Sequence, residues 1–430
     1  MRLLIHDYAG HPFQVQLSRE LARRGHSVTH AFAGGLLTPR GSLQKQTDDP
    51  EQFELVEVPM DSNYRRDKYR FLRRRRMEIE YGKEVAALIR KLEPQIVISA
   101  NTPTEPQWEI ARVCSEVRAQ FIPWIQDFYS IAVTKLAQKK LPVIGSLVGW
   151  WYRLLEKRTL RQASKILVIT SDFVPILEQF GIGANDVMVI PNWAPLNELP
   201  QKGRQNSWAQ AQKLDGKFVF LYSGTLAMKH NPDLLRQLAV SFRADPQMRI
   251  LVISEGPGAD YLAKCKADDS LDNLEILPFQ PFKDVPNINA SADVLVAILE
   301  TDAGIFSVPS KVLTYLCAGR PILAAIPSQN LASRIISESG AGMAVEPTDM
   351  SGFLEAAREL RENLARREDC SVAARAYAER YFNVETIARR FEACFRTTDT
   401  KIFPEDRIER RPFSRNRKQS VNNYLSKESV

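Results

Sequence analysis

Four short segments in the second half of the chain combine glycine, hydroxyl, cationic and acidic side chains in an order that suits a phosphorylated ligand. The first is Ser223-Gly224-Thr225, with Lys229 four residues on. Gly224 permits close approach of backbone to ligand, and Lys229 offers a point charge to phosphate. The second is Glu255-Gly256-Pro257-Gly258, a glycine-rich turn. The third, Pro278 to Phe282, presents Phe279 as a ring to pack on a base. The fourth runs from Glu300 through Asp302 to Ser310, Lys311 and Thr314. Ser310 is a good N-cap residue, and the free N–H groups and dipole of the helix it opens attract a diphosphate. Lys311 adds a full charge there, and neighbouring acidic and hydroxyl groups can bind sugar and ribose hydroxyls. A site of this kind needs neither metal nor resident cofactor. Taken singly, each segment also fits an ordinary strand-to-helix turn or capped helix.

Each segment follows an apolar run of strand length. The second half holds such runs at 218–223, 249–254, 274–277, 293–299, 322–325 and 343–345, with helical stretches near 232–243, 310–318, 331–338 and 351–366. The first half has the same grammar, with runs at 2–7, 27–33, 53–59, 95–100, 120–126, 165–170 and 187–190. Near-continuous apolar runs mark strands buried on both faces. Phe13, Leu17 and Leu21, and then Val85, Leu88, Ile89 and Leu92, follow helical spacing between them. The alternation predicts two doubly wound α/β domains with parallel sheets. Pro191, Pro195 and Pro200 mark the joint, within 191–215. The expected layout is an acceptor-binding domain at 1–190 and a donor-binding domain at 191–375. Helices at 376–396 would pack back on the first domain, and a disordered tail would fill 397–430. That tail is polar, with eight basic and five acidic residues. In such sheets ligands sit at the C-terminal ends of strands, and a cleft between two of them can hold donor and acceptor.

Composition narrows the classes. The 430 residues are 44% hydrophobic and 25% charged, ordinary for a globular enzyme. Five scattered cysteines without a CxxC pair argue against disulfides and zinc and for a reducing cytoplasm. The start, MRLLIHDYAG, lacks the long apolar stretch of a signal peptide, and no run reaches the roughly 18 apolar residues of a membrane span. GxxxxGK[ST], HExxH, GxSxG and full GxGxxG motifs are absent, which weakens kinase, protease, hydrolase and dehydrogenase readings. The net charge of +7 favours anionic partners.

The order of the segments resembles glycosyltransferase family 4, among the retaining GT-B enzymes. Gly10 followed by Leu17 to Val28 looks like the family's glycine loop, helix and L-x-x-R-G-H-x-V turn. Glu156-Lys157-Arg158 and the stretch from Ala163 to Ser171 look like its helix and serine-ended strand, and Pro191-Asn192 like its domain joint. Ala292-Asp293-Val294 and Ala318-Gly319-Arg320-Pro321-Ile322-Leu323 match further segments. The likeness covers about 1–395, and Pro309 to Leu316 look most like colanic-acid and exopolysaccharide-type sugar transferases. The resemblance implies a nucleotide-sugar donor on the C-terminal domain and a sugar or polyprenyl-diphosphate-linked acceptor on the other. It implies retention of configuration and no obligatory metal, and it assigns Asn192 to the donor side.

Two departures stand out. The family's E-x7-E pair falls at Phe306 and Thr314, leaving Asp302 or Glu300 for the sugar contact. Its G-R-x-x-x-x-K pattern has Thr225 for the arginine and a lysine one residue closer, with Lys311 to make up the charge. In the first domain, Asp127 in Trp124 to Phe128 resembles the subgroup's Q-D turn and would orient a hydroxyl, and His11 would reach donor phosphates or acceptor.

Eight Lys or Arg lie between Arg65 and Arg76 against the single acid Asp67, and Leu141 to Trp151 is the most apolar run. Apolar anchoring with basic attraction suits an anionic membrane surface, here the inner face of the plasma membrane. Nucleic acid is not expected, since no recognition module appears. A GT-B sugar-nucleotide epimerase or a non-catalytic nucleotide-sugar-binding partner are the alternatives.

Overall fold

The structure, a computed structural model, describes residues 1–35, 42–67, 70–140, 142–226, 230–301 and 309–395. It divides into a compact unit, Met1–Ala388, and a C-terminal piece, Arg389–Val430, of which only the end of one helix is described. The expected disordered tail at 397–430 lies outside the described residues.

The first half alternates strand and helix as its apolar runs dictate. Its strands are β1 (Arg2–Asp7), β2 (Ser27–Ala33), β3 (Phe53–Val58), β4 (Ile96–Ala100), β5 (Gln120–Ile125), β6 (Ile166–Val168) and β7 (Val187–Val189). Its helices are α1 (Pro12–Arg23), α2 (Tyr64–Asp67), α3 (Phe71–Leu92), α4 (Thr104–Val117), α5 (Tyr129–Lys140), α6 (Pro142–Leu160) and α7 (Val174–Gln179). The second half has β8 (Phe218–Ser223), β9 (Met248–Ile253), β10 (Leu274–Leu277), β11 (Val294–Ile298), β12 (Ile322–Ala325) and β13 (Gly342–Val345). Around them lie α8 (Ser207–Ala211), α9 (Asp233–Ser241), α10 (Pro257–Asp268), α11 (Val285–Ala290) and α12 (Ser310–Ala318). They are followed by α13 (Leu331–Ser339), α14 (Met350–Glu362), α15 (Leu364–Tyr381) and α16 (Val384–Phe395).

Both sheets are parallel. The first has the order β3-β2-β1-β4-β5-β6-β7 and the second β10-β9-β8-β11-β12-β13. Strands such as β4 and β11 are buried along their whole length, as their unbroken apolar sequence requires. In each sheet the chain builds outward on one side of the first strand, then returns to build on the other. The two switch points are β1/β4 and β8/β11, where the connecting loops diverge and leave a crevice.

The helices depart from the pattern reading in local detail. The linker expected between 191 and 215 contains α8, whose start is capped by the Asn206 side chain accepting from Trp208 and Ala209 N–H. The stretch expected as one helix to residue 366 breaks at Asn363, which is extended and caps α15 through Arg366 N–H. Helix α15 runs through residue 375 and packs on α12, α13 and α14.

Within the compact unit, Trp193 seats the joint on the first sheet domain, and an ion pair bridges the two domains. Trp193, just after the Pro191-Asn192 joint, is buried, stacks on Trp124 at 5.7 Å and meets Phe13 edge-on. Its Nε1–H donates to Gln16 Oε1 at 2.9 Å. From α13, Arg334 reaches Asp172 at 2.7 Å.

Candidate functional site

The β8/β11 switch point gathers several of the residues that the sequence reading assigns to a donor. Gly224 directly follows β8 with φ +128, a conformation L side chains rarely adopt. A Cβ there would lie 3.3 Å from both Cε and Nζ of Lys311. Lys311, in the first turn of α12, lays its ammonium 3.6 Å from the centre of the Tyr222 ring, a cation–π contact. Among the described residues Nζ is buried with no hydrogen-bond partner, and burial lowers its pKa to about 7. An unpaired buried ammonium is costly unless an anion joins it. Tyr315, one turn along α12, locks the arrangement: its hydroxyl accepts from Ser223 N–H at 3.1 Å and donates to Ser223 C=O at 3.3 Å.

Ser310 does not cap α12. The helix begins at Ser310, so Pro309 occupies the cap position and supplies no side-chain bond. The anion-attracting feature survives for a different reason, because a helix start without a side-chain cap leaves its first N–H groups available. Thr314 is turned inward, its hydroxyl donating to Lys311 C=O at 2.8 Å.

Neighbouring loops join this point. Gly258 N–H donates to Leu226 C=O at 3.0 Å, linking the turn after β9 to the one after β8. Gly256 caps α10 with φ +95, and Glu255 accepts from Phe279 N–H at 3.1 Å, which brings the acid and the exposed ring together. Thr225 is exposed beside Gly224. Lys229 and Asp302 lie outside the described residues.

The β1/β4 switch point opens into a cavity of about 340 Å³. Its walls include Asn101, Thr102, Gln126, Asp127, Tyr129 and Glu156. Asp127 stands exposed at its edge, in the turn between β5 and α5. Burial, with the charge of Asp127 adding to it, raises Glu156 to about 7. Asn192, at the joint, approaches Gln126 Oε1 at 3.5 Å. His11 does not line this cavity. Its backbone N–H donates to Asp7 Oδ2, and its ring lies 3.5 Å from Asp7 Oδ1. Gly10, with φ +77, makes the turn that allows this.

Four residues around these two crevices escaped pattern reading: Tyr222, Tyr315, Glu156 and Arg74, the last also lining the cavity. The tyrosines fall inside a strand-length run and a helical stretch with no local signal of their own, and Arg74 was one of eight cations in a run. Glu156 carried a signal, since it opens the Glu156-Lys157-Arg158 segment.

Comparison with known proteins matches both halves. Residues 11–193 match the family model described as a glycosyl transferase 4-like domain, and residues 217–363 that of glycosyl transferases group 1. WcaI of Escherichia coli K12, which carries a colanic acid biosynthesis glycosyl transferase description, is 23% identical over 251 residues, 57% of this chain and 60% of WcaI. WbjE of Pseudomonas aeruginosa, described as a glycosyltransferase, is 25% identical over 46% of this chain and 50% of WbjE. The matches thus span 60% and 50% of the length of these two curated relatives. Among solved structures, sucrose-phosphate synthase of Thermosynechococcus elongatus superposes with a TM-score of 0.67 at 14% identity, covering 91% of this chain and 98% of that one. Anabaena Alr3699/HepE with UDP-glucose gives 0.66 at 14%, with coverage of 91% and 98%. WaaG, involved in lipopolysaccharide biosynthesis, gives 0.63 at 16%, with coverage of 93% and 100%. The shared fold is GT-B.

Proposed function

The chain belongs to family 4 of the GT-B glycosyltransferases, and from that premise we propose that it transfers a sugar from a nucleotide-sugar donor to a carbohydrate or lipid-linked acceptor. The observation that carries this reading is the Lys311 ammonium beside Gly224, buried and without a hydrogen-bond partner among the described residues, at the start of α12, which has no side-chain cap there. The donor diphosphate would sit there, taking backbone N–H bonds and the lysine charge. Glu255 and Phe279 would flank the nucleoside, and the cavity holding Asp127 would take the acceptor. In the reaction the acceptor oxygen bonds to the sugar's anomeric carbon as the bond to phosphate breaks. The hydroxyl proton passes to the leaving phosphate, whose charge Lys311 stabilises. This route retains configuration and needs no metal. UDP-glucose bound by the HepE neighbour supports a nucleotide-sugar donor of that class.

The location we propose is the inner face of a membrane, and a surface feature supports it. Among the described residues twelve large apolar side chains stand exposed, and eight of them are Phe71 and Leu72 on α3 and Leu136, Val143, Ile144, Leu147, Trp150 and Trp151 on the α5–α6 hairpin. Gly145 and Gly149 face α5 closely, so the opposite face of α6 carries the apolar stripe outward. Arg75 lies over Trp151, and Phe71 meets Tyr152, which joins the basic and apolar parts. Asp67 pairs with Arg70 and Arg73, and Glu78 with Arg74, so part of the positive run is already balanced. No described helix is long and apolar enough to cross a membrane.

The test is release of nucleoside diphosphate from a panel of UDP-, GDP- and ADP-sugars, with and without anionic vesicles carrying polyprenyl-diphosphate sugar. Release with one donor, dependent on acceptor, supports the reading. Product in which the donor sugar is epimerised, without acceptor, contradicts it.

A further inference from the structure

Glu156 has no assigned role, yet it sits where the acceptor cavity meets the start of α5. One carboxylate oxygen accepts from the Tyr129 backbone N–H at 3.1 Å, and the other from Ser130 Oγ–H at 2.5 Å. The first N–H groups of a helix have no partner within it. Glu156, 27 residues later on α6, therefore caps α5 from outside. The capped residues follow the Gln126-Asp127-Phe128 turn directly. Phe128 is buried against Phe173 and Phe180, and the Tyr129 hydroxyl is gripped by Arg74 and lies 3.4 Å from Glu78. The Asp127 backbone is thus fixed on both sides, by strand β5 before it and by this anchored helical turn after it.

We propose that Glu156 is a positioning residue, whose ionised carboxylate holds the first turn of α5 and so fixes Asp127 at the acceptor cavity. This rests on the transferase reading for its consequence, but the anchoring itself does not.

The ionised form is the better acceptor for both bonds, and the protonated form weakens the anchor. The groups facing the carboxyl are Asp127 on the turn, Tyr129 and Ser130 on α5, and Arg153 on α6, with Arg74 of α3 acting through Tyr129. Burial comes first in raising Glu156 to about 7, Asp127 adds to it, and Arg153 and the Ser130 bonds oppose it. The anchor therefore strengthens as pH rises through about 7. Stability runs the other way. A carboxyl whose folded pKa is raised contributes stability below its unfolded value, and that contribution is lost as pH rises through the folded value.

Amide hydrogen exchange and turnover separate the two claims. Exchange is measured on the peptide spanning residues 126–134, corrected for intrinsic rates, at pH 5.5 to 8.5. Wild type should gain at least about tenfold protection across pH 7. Glu156→Gln should lose that pH dependence while melting at or above the wild-type temperature at pH 8, and Glu156→Asp should restore part of the protection. With UDP-glucose as the probe donor, kcat for UDP release in wild type should fall below pH 7. In Glu156→Gln that acid limb should vanish and kcat drop about tenfold, with donor KM unchanged. Wild-type exchange and an unaltered acid limb in the Gln variant would overturn the proposal. An absence of turnover in wild type would count against the transferase reading, while the exchange profile would still decide the anchor.

Discussion

At the scale of single residues, the donor side turns on Lys311 and Gly224. The Lys311 ammonium is buried over Tyr222, with no hydrogen-bond partner among the described residues, and burial depresses its pKa to about 7. A base whose folded pKa is depressed costs stability when protonated. The cost is full below about pH 7 and is relieved as pH rises toward the ordinary lysine value. A bound diphosphate reverses this by favouring the ammonium. Nucleotide binding near pH 8 should therefore take up a proton, and affinity should weaken as pH rises from 7 to 9. Calorimetry in buffers of different ionisation enthalpy measures that uptake, and Lys311→Met should abolish it. Gly224→Ala should lower donor affinity about tenfold or more, because the new Cβ meets Lys311 and the backbone has φ +128. Melting curves beside donor titrations check that the loss is in binding rather than folding.

At the scale of elements, much of the fold was legible. Apolar runs located the strands because parallel strands covered on both faces have no reason to alternate. Ser223-Gly224 and the Glu255-Gly256 turn could be placed at strand ends because each follows such a run. What stayed hidden depended on contacts distant in sequence. Glu156 caps a helix 27 residues away, and Tyr315 bonds to Ser223 from 92 residues away, and no local pattern encodes either. Ser310 was a suitable cap residue displaced by one position, because Pro309 took the cap. The apolar run ending at Trp151 was legible, but only the packing of Gly145 and Gly149 on α5 shows which face is outward. The hairpin supports a prediction at this scale. Replacing Leu147, Trp150 and Trp151 together by Ser should reduce sedimentation with anionic vesicles about tenfold or more, with little change in melting temperature. Undiminished sedimentation would remove the hairpin from the membrane account.

At the scale of the whole molecule, the proposed transfer needs the two crevices held in register. The Arg334–Asp172 pair bridges the two sheet domains within the compact unit, and Trp193 seats the joint on the first of them. Trp193→Ala should cost about 3–5 kcal/mol by cavity formation, read from denaturant unfolding. Arg334→Ala should cost about 1–3 kcal/mol, between the ranges for exposed and buried pairs. It should also lower kcat for transfer more than donor affinity, because it loosens the link between domains without touching the donor residues.

The central claim is that the start of α12, Gly224 and Lys311 together form a nucleotide-sugar seat. The most direct measurement is the melting temperature of wild type and Lys311→Ala against UDP, GDP, ADP and their sugars. A ligand at about 100 times its Kd stabilises the native state by about 2.7 kcal/mol. The account predicts a clear rise with one nucleotide family in wild type and little or none in the variant. No rise with any nucleotide at millimolar concentration, or an equal rise in both proteins, would contradict it.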